Sequence, residues 1–107
     1  MAVFRETAVR RFESAMACDV LSHYPGEAES LGGPETVLAM IRRTIDYGRT
    51  LGFETERDLA ALINLTAAYG EPFEEKVGDA DIVDVLRDRE IVPSTRIELV
   101  LQMLPEG

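Results

Sequence analysis

Apolar side chains recur every third or fourth residue along most of this chain, and glycine or proline punctuates most of the runs. In the first run Phe12, Met16 and Val20 repeat every four residues, with Val9 and Tyr24 near the same stripe. The spacing predicts a helix from about Phe4 or Thr7 to His23, closed where Tyr24 meets Pro25 and leaves the α region. A polar, glycine-rich loop, PGEAESLGG, follows. Pro34, behind Gly32 and Gly33, fits the first position of a second helix. Its stripe is Leu38, Ile41 and Ile45, widened by Val37 and Met40. Arg42, Asp46 and Arg49 lie opposite at helical spacings, pairings worth roughly 0.2–0.5 kcal/mol each. Gly52 ends that helix, and Phe53 stands before the next cap as a hydrophobic staple.

The third run, Thr55 to Gly70, is the piece the others should surround. Thr55 followed by Asp58 offers oxygen acceptors to the first unpaired N–H groups of a helix. Leu59 to Tyr69 is then apolar except for Asn64 and Thr66, until Gly70 and Pro72 forbid continuation. A helix apolar on nearly every side implies neighbours all round.

Beyond it the pattern is shorter. Glu71, Glu74 and Glu75 open an acidic loop in which Phe73 and Val77 serve as anchors. Ile82, Val85 and Leu86 fit one face of a short helix capped by Asp79 or Asp81. The β-branched Ile82 and Val83, with Val85, also suit a strand, but no partner strand is evident. A last helix starts near Pro93, with Thr95 and Glu98 at capping-box spacing. Ile97, Val100, Leu101 and Leu104 form its stripe, and Pro105 closes it. The prediction is an all-α fold, one domain over residues 1–107, built as a single compact bundle of about five helices.

Charge narrows the choice of partner. The net charge is −9, with seven Arg against nine acids in residues 1–57 and four bases against eleven acids thereafter. Such a field repels nucleic acid and anionic membrane and suits a basic protein partner, while also serving solubility. Cys18 is the only cysteine, which excludes an internal disulfide and fits a reducing compartment. The first twenty residues lack the apolar core of a secretory signal, and nothing approaches a membrane span, so the cytoplasm is the expected location.

No constellation compels a catalytic reading. His23 is the only histidine and lies about 140° around the helix from Cys18, so the two do not face each other. Its place at a helix end suits interaction with the C-terminal dipole. Glu54, Glu56 and Asp58 resemble paired carboxylates, but a helix start already explains them. Asp79, Asp81 and Asp84 suggest calcium, yet an EF-hand from Asp79 would place Val83 at position five and Asp84 at the glycine position. Arg5, Arg10, Arg11, Arg42, Arg43 and Arg49 form a patch if the first two helices touch, without the aromatics a nucleic-acid groove needs. Asn64 must bond a core neighbour or a partner surface, and the core reading is favoured. The expectation is no catalytic residues, no cofactor and no metal.

A set of landmarks adds a family hint. Phe12, Tyr24-Pro25, Leu31-Gly32, Ile41 and Tyr47-Gly48 precede the ERD helix start at Glu56. Ile63-Asn64-Leu65, Gly70 and Phe73-Glu74-Glu75 follow. Over roughly residues 10–104 this order resembles a family of small bacterial proteins encoded beside type VI secretion effectors and their spike-tip (PAAR-type) components. Members more often carry Asp at the position of Asn64. The resemblance implies no activity. It implies a non-enzymatic adaptor or chaperone that binds a secreted effector, or alternatively a cytoplasmic immunity protein that inhibits a toxin. The acidic second half places the partner-binding surface on Glu71, Glu74, Glu75, Asp79 and Asp81.

Overall fold

A computed structural model describes residues 2–26, 29 and 32–104, with side chains from Ala8 onward. Six helices are delimited among these residues: α1 (Ala2–His23), α2 (Pro34–Thr50), α3 (Glu56–Tyr69), α4 (Phe73–Lys76), α5 (Ala80–Arg87) and α6 (Pro93–Met103). Five of them span two turns or more, in agreement with the predicted all-α bundle. The additional one, α4, occupies the stretch expected as an acidic loop. It forms because Pro72 stands at its N-cap while Phe73 is buried, which pins one turn to the core. Residues 1, 27, 28, 30, 31 and 105–107 lie outside the described residues, and with them part of the predicted first loop and Pro105; where that loop is described, Pro25, Gly26 and Glu29 are helical and only Gly32 and Gly33 are not.

The principal extents are 37 × 33 × 18 Å, so the thin direction holds only two helix diameters of about 10 Å. Within that slab α3 packs against α1, α2, α4 and α6, while α5 packs against α6. Leu59, Leu62, Ile63, Leu65, Thr66 and Ala67 are buried, an arc of roughly 200° at helical spacing. The remaining arc carries Ala60, Ala61, Asn64 and Ala68, of which Ala68 is exposed. The expectation of neighbours all round α3 thus holds for a little more than half its circumference. Alanine is apolar enough to read as core yet small enough to lie at the edge.

Local signals account for most helix ends. The Thr55 side chain accepts from the Asp58 amide at 3.2 Å, as expected of an N-cap. Asp79, the N-cap of α5, accepts from the amides of Asp81 and Ile82, and the segment that also suited a strand is helical. The α6 cap differs from expectation. Val92 is the N-cap and Pro93 takes the first helical position, which leaves Thr95 inside the helix with no capping bond.

One glycine sets a helix separation. A Cβ on Gly48, inside α2, would meet Leu59 Cδ2 at 2.8 Å and Leu62 Cδ2 at 3.1 Å. The bare backbone therefore lets α2 and α3 close together. The surface pairing expected along α2 does not form: Arg42 instead reaches across to Glu13 of α1 at 3.1 Å.

The most telling departure is Arg96, which is 2 % exposed. It sits between the ends of three segments. Its Nη1 donates to the Leu51 carbonyl at 2.7 Å and to the Leu86 carbonyl at 3.0 Å, while Nε donates to the Ile91 carbonyl at 2.8 Å. The guanidinium lies 5.0 Å from the centroid of the buried Phe53 ring. Arg89 adds a second guanidinium, donating to the Thr50 carbonyl. Two arginines from later in the chain thus satisfy carbonyls that a helix end leaves unpaired, where the dipole is negative.

Candidate protein-contact surface

The five predicted partner-binding residues run from the turn before α4 to the start of α5, but the structure puts them to different uses. Glu71 is held by Arg43 in a two-pronged pair, Nε to Oε2 at 2.8 Å and Nη2 to Oε1 at 2.7 Å. Glu74 is held the same way by Arg87, at 2.7 and 2.6 Å, and also accepts from the Tyr47 hydroxyl. Asp79 is occupied as the α5 cap. Glu75 and Asp81 are exposed, and neither has an ion-pair partner among the described residues. Two acids are therefore gripped by arginines, Asp79 caps its own helix, and the other two face water.

The electrostatics follow from those bonds. The hydrogen bond from Arg87 holds the Glu74 carboxyl below the usual carboxylate range, against the opposing effect of burial. The half-buried Tyr47 phenol is pushed well above its ordinary value, mainly by desolvation and then by its bond to Glu74. Both groups stay in one charge state around neutrality. Together with Phe73, which meets Tyr69 edge-on at 5.8 Å between centroids, they fasten α4 to α2 and α5.

The other candidate residues are dispersed. His23 is exposed at the end of α1, where Nδ1 donates to the Asp19 carbonyl at 2.9 Å, and Cys18 is exposed on the same helix. Asp58 is buried and accepts from the Ser94 hydroxyl at 3.3 Å, while Glu54 and Glu56 are exposed, so that trio does not converge. Asn64 bonds neither a core neighbour nor a free surface group; it donates to the Ala60 carbonyl of its own helix at 3.0 Å. Among the described residues no group of three His, Cys, Asp or Glu is placed to hold a metal. No helix there is long and apolar enough to cross a membrane.

Sequence reasoning did not find a groove of about 840 Å³ where α1, the second half of α2 and the start of α3 meet. Phe12, Ile45 and Leu59 supply its apolar lining. Arg42 and Arg49 flank it from α2, Glu54 from the connection before α3 and Glu56 from the start of α3. The arginine patch considered from the sequence is thus divided. Arg10, Arg42 and Arg49 share a groove with glutamates, and Arg43 faces Glu71. The i, i+3, i+7 spacing of Arg42, Ile45 and Arg49 was the available signal, an apolar residue framed by cations on one face.

The fold and surface define an all-α protein with an acidic rim and a mixed-charge groove. No family model, curated protein or solved structure matches the chain.

Proposed function

We propose that this protein is a non-enzymatic accessory, an adaptor or chaperone, that binds a type VI secretion effector in the cytoplasm. Its support comes first from the ordered sequence landmarks, Phe12 through Phe73-Glu74-Glu75, that resemble proteins encoded beside such effectors. The structural observation that carries it is the division of labour along the rim. Arg43, Arg87 and Tyr47 fix Glu71 and Glu74, and this leaves Glu75 and Asp81 facing water on a fastened scaffold. An acidic edge of that kind steers a basic partner and sets register more than it supplies affinity.

Co-expression with a type VI effector from the host organism tests the reading. The effector is expected to be soluble and secreted only when this protein is present. Unchanged solubility and secretion in its absence would overturn the idea. An effector that kills its own cytoplasm unless this protein is present would replace the adaptor by an immunity protein. Glu75→Lys and Asp81→Lys are the informative surface variants, because neither breaks an internal bond of the rim. They should slow association by about two- to tenfold at low salt and less at high salt.

A further inference from the structure

The geometry points to the groove between α1, α2 and α3 as the seat of a partner peptide, one that presents an apolar side chain between a basic and an acidic residue. The inference rests on the protein-binding reading above and gives it a surface distinct from the acidic rim. Three observations carry it. At about 840 Å³ the groove lies toward the upper end of the 300–1,000 Å³ usual for ligand pockets, room for a stretch of chain. Phe12, Ile45 and Leu59 give it an apolar lining for a side-chain anchor. Its two sides differ in sign. Arg10 of α1 and Arg49 of α2 stand on one side and Glu54 and Glu56 toward α3 on the other, and none of the four is ion-paired among the described residues.

Charge also discriminates among occupants. A nucleic-acid strand would bring phosphate against Glu54 and Glu56. A second copy of this chain would bring together two bodies of net charge −9. A bipolar segment satisfies both sides at once. Arg42, already paired with Glu13, fixes the α1–α2 side of the groove without demanding a partner. Opposed signs then set the direction in which the segment lies.

The test uses the full chain and fluorescein-labelled peptides of about twelve residues, the scale of segments that seat in helical grooves. One peptide has a central leucine with lysine on one flank and glutamate on the other; a second has the flanks exchanged. Controls carry two lysines, two glutamates, or alanine in place of leucine. One bipolar peptide is expected to bind at least about tenfold more tightly than every control by fluorescence anisotropy. Arg49→Glu or Glu56→Lys should reduce that preference to about twofold or less, and the double reversal should transfer it to the peptide with exchanged flanks. Both sites are exposed, and circular dichroism melting checks that each variant folds; Arg49→Gln and Glu56→Gln serve if a reversal does not. No peptide binding, equal binding of controls, indifference to reversal, or self-association of the chain through the groove would overturn the proposal. The effector experiment is read separately. If Arg49→Glu abolishes peptide preference but leaves effector solubility intact, the groove is not the effector site and the accessory reading stands. If the unaltered protein binds peptides with the expected charge preference yet has no effect on any effector, the groove stands as a peptide site and the accessory reading fails.

Discussion

Arg96 and Arg43 place the same chemical group in two contrasting settings. Around Arg96 the guanidinium is 2 % exposed, and its acceptors are backbone carbonyls of Leu51, Leu86 and Ile91. Around α4, the Arg43 and Arg87 side chains are 56 % and 58 % exposed, and each grips a carboxylate with two hydrogen bonds. By opposed charge and paired bonds the rim looks stronger. Burial reverses the ranking, because water replaces a lost partner at the rim and cannot replace one in the interior. The interior site therefore joins elements, while the rim adjusts a surface.

The largest expected effect follows from that contrast. Arg96→Ala leaves three carbonyls without their donor and opens space beside Phe53, at a cost of about 3–5 kcal/mol. Arg96→Met retains much of the packing but none of the donors, so the difference between the variants separates cavity from hydrogen bonding. Urea unfolding of both measures it. A loss below about 1 kcal/mol for Arg96→Ala would break the comparison at its stronger end.

Glu74 lies between the extremes, with its side chain 19 % exposed and two donors, Arg87 and Tyr47. Its folded-state pKa is lowered, chiefly by the Arg87 bond. A depressed carboxylate contributes stability that is complete above its unfolded pKa and is lost as pH falls through the folded one. The stability gap between wild type and Glu74→Gln should therefore be constant near neutrality and shrink through the carboxylate range toward acid. Unfolding titrations at a series of pH values test this. A gap that widens on acidification would mean that the fold raises the Glu74 pKa instead of lowering it.

The same contrast explains which features the sequence disclosed. The Thr55 cap, the Pro34 start and the Met16–Val20 and Ile41–Ile45 stripes are local, set by residues within a turn or so of one another. Arg96 lies 45 positions from Leu51, and inside α6 it reads as an ordinary surface cation. Only the fold reveals that segments following α2 and α5 meet the start of α6 around it. Glu71 and Glu74 were recognisable as part of an acidic stretch, but their bonds to Arg43 and Arg87 come from other helices. The groove was hidden for the same reason, since α1, α2 and α3 each contribute only part of its lining.

The smallest expected effect is at the rim itself. Arg43→Ala removes both hydrogen bonds to Glu71, whose side chain is 25 % exposed and can be rehydrated where the arginine stood. Exposed pairs of this kind contribute about 0–1 kcal/mol, even with good geometry. The loss should lie in that range by urea unfolding and fade in about 1 M salt, where the screening length falls to about 3 Å. Arg96→Met, measured alongside, should keep its full cost in salt, because its acceptors are buried carbonyls. If instead both variants lose comparable stability and both respond to salt, solvent exposure is not what distinguishes the two arginine sites, and the rim must be counted as part of the framework that holds α4 in place.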